Sequence, residues 1–172
     1  MRLFFALWPD ADTKTQIAGF AAQLALANLS RLVPADKYHL TLAFVGEAPS
    51  SRLPGLLKIG GVRRAPRCTI AFDATEFWPK SQAVVAAAQE IPAGLLEFWE
   101  QLHRDLALKP QHKLRAHVTL ARKVAQAPVL QAMSPIVWHT SSFGLYRSDT
   151  SGAESAYTVV DTWPLLDETQ NP

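Results

Sequence analysis

The chain is short of cysteine, of net charge and of long hydrophobic runs, and each shortage removes a class of protein. Its single cysteine, Cys68, can form neither an intrachain disulfide nor a Cys-rich zinc module, and suits a reducing compartment. Lys and Arg number 17 against 15 Asp and Glu, a formal charge of +2. That balance is too even for gripping nucleic acid by bulk electrostatics, so a polyanion would need a local basic patch. The opening apolar run stops at Pro9-Asp10, too short for a secretory signal, and residues 17–29 are interrupted by Gln23 and Asn28, short of the roughly 20 that span a bilayer. A soluble cytoplasmic protein is expected. No glycine-rich phosphate loop occurs either.

What is present is the makings of a core. With 172 residues, 48% hydrophobic and 19% charged, the chain suffices for one domain or two small lobes, and disorder or a coiled coil is excluded. Residues 2–8 read as a buried strand ending at Pro-Asp. A helix over 11–29 follows, with Ile17, Phe20, Ala21, Leu24 and Ala27 in helical spacing and Asp10 or Asp12 as N-cap. Residues 38–45 alternate as a half-buried strand closed by Gly46. A helix over 49–59 leads to a turn-rich basic connector, 60–67, and two strands, 68–77 and 83–88, form a hairpin around Trp78-Pro79-Lys80-Ser81. Leu95, Phe98, Trp99, Leu102 and Leu106 define an amphipathic helix over 92–106. Strands at 115–121, 136–146 and 157–163, a short helix at 127–133 and a polar loop at 147–155 complete the pattern. Helices mixed with hairpins favour α+β over a doubly wound parallel sheet.

The chemistry lies in an internal echo. His39-Leu40-Thr41-Leu42-Ala43 returns 78 positions later as His117-Val118-Thr119-Leu120-Ala121, nearly half the chain on. Two copies of one unit would each bring an equivalent strand to a shared cleft. Along a strand His and Thr of His-x-Thr share a face, about 7 Å apart at the backbone, while the leucines pack behind. Two such pairs can bracket one phosphate. An imidazole titrates near 6.5, so one copy can accept a proton while the other donates one, and the threonine hydroxyls can donate to the non-bridging oxygens. The two histidines lack a local third ligand, which weakens a zinc reading, and neither metal nor cofactor is expected.

The paired motifs, with Arg2-Leu3-Phe4-Phe5-Ala6, Tyr38-His39-Leu40-Thr41-Leu42-Ala43-Phe44-Val45-Gly46 and His117-Val118-Thr119-Leu120-Ala121-Arg122, resemble the 2H phosphoesterase superfamily. Within it they are most similar to the RNA 2′,3′-cyclic phosphodiesterases, also described as 2′-5′ RNA ligases. The likeness runs over nearly the whole chain, through Leu145-Tyr146-Arg147-Ser148, Tyr157-Thr158-Val159-Val160 and Trp163-Pro164-Leu165.

The resemblance implies one bilobal domain over residues 1–172, two pseudo-twofold α+β lobes with antiparallel sheets flanking a groove and helices outside. It implies opening of a 2′,3′-cyclic phosphate to a 2′-phosphomonoester, with 2′-5′ ligation as the reverse, on an RNA end or a small cyclic nucleotide, by a monomer. His39 and His117 carry over as catalytic, Thr41 and Thr119 as phosphate ligands. His39 is taken as proton donor and His117 as acceptor, the near symmetry allowing the reverse. Arg122 matches a basic residue that follows the family's second motif, but alternation puts it on the face opposite His117 unless the strand ends or bulges there. Its counterpart in the first motif is Phe44, which core packing would explain. The chain departs from the family at Ala116, where proline is frequent, and at the turn Phe77-Trp78-Pro79-Lys80-Ser81.

A nucleotide- or RNA-binding module without turnover is the alternative. Lys109, His112, Lys113 and Arg115 are candidates for holding RNA, although charge runs in loops are usually solvated, and Arg63, Arg64 and Arg67 carry less weight. His103 and His139 have no repeat partner and read as structural or exposed. Trp78, Phe5, Trp99 and Tyr146 are candidates for base stacking, Trp99 fitting core spacing better.

Overall fold

The runs Leu3-Phe4-Phe5-Ala6-Leu7 and Ala83-Val84-Val85-Ala86-Ala87 are buried at every position, and a strand buried on both faces belongs inside a sheet rather than at its edge. Each organises one of two four-stranded sheets. The computed structural model describes residues 1–24, 26, 30–110, 112–130, 132–149 and 156–167. In chain order its elements are β1 (Arg2–Leu7), α1 (Ala11–Ala21), β2 (Arg31–Leu32), β3 (Leu40–Glu47), α2 (Leu53–Val62), β4 (Thr69–Phe72) and β5 (Ala74–Trp78). Then come β6 (Ala83–Ala87), α3 (Ala93–Asp105), β7 (His117–Arg122), β8 (Ile136–His139), β9 (Ser142–Asp149) and β10 (Ala156–Pro164).

One sheet has the order β10-β9-β1-β3 and the other β2-β7-β6-β5, with β4 and β8 forming a separate pair; all these pairings are antiparallel. The fold is α+β, and each large sheet carries one His-x-Thr strand. Leu3, Phe5 and Leu7 of β1 and Val84 and Ala86 of β6 enter the main core with the helices. The opposite faces hold smaller apolar floors, Phe4, Ala6 and Tyr146 on one sheet and Ala83, Val85 and Ala87 on the other.

Local chemistry explains the helices. Asp10 caps α1, accepting from the Thr13 backbone N–H at 2.8 Å and the Thr13 hydroxyl at 3.0 Å, and Thr13, Ile17 and Ala21 recur every four residues on its buried stripe. In α3 the buried set is Leu95, Phe98, Trp99, Leu102 and His103. Among the described residues no helix is long and apolar enough to cross a membrane.

Several boundaries move for tertiary reasons. The first helix ends at Ala21, not 29; positions 25 and 27–29 lie outside the described residues. The run 68–77 divides at Asp73, because β4 pairs with β8 while β5 alone makes the hairpin with β6. The run 136–146 divides at Thr140, whose buried hydroxyl accepts from the Cys68 N–H at 2.8 Å and donates to the Cys68 carbonyl at 3.1 Å. No helix forms among the described residues of 127–133, and the strand through Gly46 continues to Glu47.

Gly60 and Gly61, read as connector, belong to α2. Helix α2 lies against Trp163 so closely that a Cβ on Gly60 would overlap the carbons Cη2, Cζ3 and Cζ2 of its indole. Gly60→Ala is expected to lower stability by about 1–3 kcal/mol through overpacking, seen as a reduced urea midpoint with unchanged slope.

Candidate active site

The two His-x-Thr strands share a departure from regular alternation at the same place. In the β1–β3 pairing Ala6 faces Thr41 and Phe5 faces Ala43, so Leu42 is passed over. In β6–β7 Val85 faces Thr119 and Val84 faces Ala121, so Leu120 is passed over. Each bulge lets two consecutive residues, Leu42-Ala43 and Leu120-Ala121, both point into the core. The next residue returns to the face of His and Thr. Arg122 thereby lines one cavity with Thr119 and His39, and the bulge overrides the parity that would have turned it away. The equivalent Phe44 is 59% exposed, with its ring 6.0 Å from Phe4, so it is not core.

Both histidines are anchored alike. His39 Nδ1 lies 2.7 Å from the Lys37 carbonyl oxygen and His117 Nδ1 lies 2.6 Å from that of Arg115. A carbonyl only accepts, so Nδ1 carries the proton in each ring and Nε2 keeps the lone pair. Their surroundings differ. His39 stacks on Trp8 at 5.0 Å and 14°, with Tyr157 edge-on at 5.0 Å and Phe4 at 5.3 Å. His117 meets Trp78 at 4.4 Å. Trp78 donates from Nε1 to Glu76 at 2.7 Å, Arg115 lies 5.7 Å over its ring, and Arg115 also pairs with Glu76 at 2.5 Å.

Desolvation is the main influence on both imidazoles. Burial pulls His39 from 6.5 down to about 4, opposed by its bond to the Lys37 carbonyl and assisted by the positive charge of Arg122 and by His117. Burial likewise lowers His117, with Arg115 and Arg122 adding to the effect and Glu76 opposing it. At pH 7 both rings are neutral in the ligand-free protein.

Other sequence candidates lie elsewhere. Arg63 pairs with Asp105 and Gln101, and Arg67 with Asp167 at 3.4 Å. Arg115 accepts the His117 Nδ1–H bond on its carbonyl and pairs with Glu76, while Lys109, His112 and Lys113 are exposed. His103 is buried, and its Nδ1 donates to the Trp99 carbonyl at 2.8 Å. Exposed His139 meets the Thr69 hydroxyl at 3.0 Å. Phe5, Trp99 and Tyr146 are buried, which leaves Trp78 as the accessible stacking candidate of that group. Sequence reasoning does not find Trp8, Tyr157, Arg31 and Lys123. Trp8 carries a signal, since positions 4, 6 and 8 share one strand face; the others depend on pairings between distant segments. Among the described residues no three His, Cys, Asp or Glu side chains gather as a metal-ligand set.

Two His-x-Thr strands, one from each antiparallel sheet, with His39 and Thr119 lining one cavity and the charge of His117 felt at His39, have the arrangement of a two-histidine phosphoesterase. The LigT-like phosphoesterase profile matches residues 7–86. The chain is 29% identical over 170 residues to the RNA 2′,3′-cyclic phosphodiesterase of Escherichia coli K12, covering 95% of this chain and 96% of the relative. It is 27% identical to the protein of the same name from Thermus thermophilus, covering 98% and 92%. The crystal structure of E. coli LigT complexed with ATP superposes with a TM-score of 0.85 at 30% identity, covering 95% and 97%. That of E. coli LigT complexed with 3′-AMP gives 0.87 at 28%, with the same coverage. The chain belongs to the LigT-like phosphoesterase family.

The depressed His39 pKa has a thermodynamic consequence. The unfolded chain takes up this proton near pH 6.5 and the folded one only near 4, so the stability is whole above 6.5 and is lost as pH falls through that window. His39→Gln should remove up to about 3 kcal/mol of that acid-side loss, measured by urea unfolding between pH 7 and 4. Proton NMR should place the His39 titration near 4 in the parent.

Proposed function

We propose that this protein hydrolyses the 2′,3′-cyclic phosphate of an RNA end or a small cyclic nucleotide to a 2′-phosphomonoester. The observation carrying this reading is the pair of imidazoles, each with Nδ1 bound to a backbone carbonyl and Nε2 left to exchange protons. The names of the relatives support the substrate class. Residues 1–172 act as one unit and as a monomer, because a single chain supplies both motifs. A chain with one cysteine and no internal disulfide suits cytoplasmic work.

In the proposed reaction water attacks phosphorus in line with O3′. The new P–O bond forms as P–O3′ breaks; His117 Nε2 takes the proton of water and His39 delivers its proton to O3′. Thr41 and Thr119 donate hydrogen bonds to the non-bridging oxygens, and Arg122 offsets the charge gathering there. His39 is assigned as donor: its imidazolium is held by the Nδ1–H bond to the Lys37 carbonyl, whereas the Arg115 guanidinium beside His117 opposes a positive charge there. A bound phosphate raises both imidazoles toward neutrality, supplying the charge compensation that burial withholds. With a 5′-hydroxyl attacking in place of water, the same pair performs 2′-5′ ligation.

Phosphorus NMR of a nucleoside 2′,3′-cyclic phosphate in excess chelator tests the reading. The parent should yield the 2′-phosphate, with each of His39→Ala and His117→Ala slower by about 10²–10⁴-fold. Binding without turnover by the parent would instead favour the non-catalytic module. A substrate with sulfur replacing O3′ separates the roles, since a thiolate leaves without a proton. It should restore His39→Ala and leave His117→Ala impaired; the reverse pattern exchanges the two assignments.

A further inference from the structure

The charge around the cleft exceeds what one cyclic phosphate requires. A cavity of about 170 Å³ beside His39 and Thr119 is walled by Arg31, Lys37, Arg122 and Lys123, and among the described residues no acidic side chain lines it. In a chain whose formal charge is only +2, four cations around one cavity are a local concentration. A cyclic phosphate carries a single negative charge, which Arg122 and the two threonine hydroxyls suffice to meet.

The strand register makes the excess costly. Arg31 of β2 stands directly opposite Arg122 of β7, and like charges facing each other across an antiparallel pair repel. Among the described residues Arg31, Arg122 and Lys123 form no salt bridge that would relieve this. Lys123 also adopts φ 59°, a left-handed conformation unfavourable for a side chain of its kind, immediately after Arg122 and at the cavity wall. An anion held between these groups offsets the repulsion.

We propose that Arg31, Lys37 and Lys123, beside Arg122, form a second phosphoryl subsite for the phosphate on the 5′ side of the nucleoside whose cyclic phosphate reacts. The inference rests on the hydrolytic reading above and specifies its substrate: a cyclic end bearing a further phosphate, in preference to a bare nucleoside cyclic phosphate. The twin motif explains why the subsite lies on one side only. The bulge that delivers Arg122 from the second copy delivers Phe44 from the first, so the second motif adds a cation to the cavity wall where the first motif carries an exposed aromatic ring.

The test compares kcat/KM for three substrates: a nucleoside 2′,3′-cyclic phosphate, the same compound with a 5′-phosphate, and a dinucleotide ending in the same cyclic phosphate. The second phosphate should raise kcat/KM by about 10- to 100-fold, chiefly through KM, and the advantage should shrink with added salt. In Arg31→Gln/Lys123→Gln the ratio should collapse toward one, while Arg31→Lys/Lys123→Arg should retain it, separating charge from a folding defect. An advantage for the 5′-phosphate alone identifies a monoester site, and one shared by the dinucleotide identifies an RNA backbone site. Equal kcat/KM for all three substrates in the parent, or an undiminished ratio in the Gln pair, overturns the subsite with hydrolysis intact. Absence of hydrolysis with all three overturns the underlying reading instead.

Discussion

Strand parity governs this protein, and a one-residue bulge in each motif strand resets it. Regular alternation would carry His39 and Thr41, or His117 and Thr119, to one face and the residue after Ala43 or Ala121 to the other. Passing over Leu42 and Leu120 keeps both residues of Leu-Ala in the core and brings Phe44 and Arg122 back to the cleft. The rest of the site depends on this correction. The buried leucine-alanine pairs hold the motif strands against the core, and the cleft gains a third position beyond histidine and threonine.

Burial then sets the protonation state. Each imidazole is fixed in one tautomer by a carbonyl two residues earlier, Lys37 for His39 and Arg115 for His117, so the backbone that builds the motif also orients it. Aromatic walls exclude water and hold both rings neutral, most strongly at His39 among Phe4, Trp8 and Tyr157. In the proposed reaction the charge of a bound phosphate would make an imidazolium favourable where the empty fold does not. Equivalent backbones thus carry unlike surroundings, and the symmetry of the motif does not extend to its chemistry.

Much of this could be read directly from the residues. The repeat identified both histidines and both threonines, because identical neighbours at matching offsets declare themselves without a fold. The middle strands β1 and β6 and the helix over 93–105 were visible in their apolar patterns, since burial on two faces or one stripe is written in local spacing. The division of 68–77 between two sheets was not visible: its cause is pairing with β8, more than sixty residues away. Gly60 looked like a turn for a similar reason, as only Trp163 packed against it explains a glycine within a helix.

The sequence by itself determined which chemical groups are available, their duplication and the strand character of the segments that bear them, because these follow from residue identity and short-range periodicity. Only the tertiary structure decided that Arg122 reaches the cleft, that Arg31 stands opposite it, that Trp8 and Tyr157 enclose His39, and that both imidazoles are neutral. Each of these depends on register, bulges or desolvation created when distant segments pair, and no local pattern encodes a distance between segments that have yet to meet.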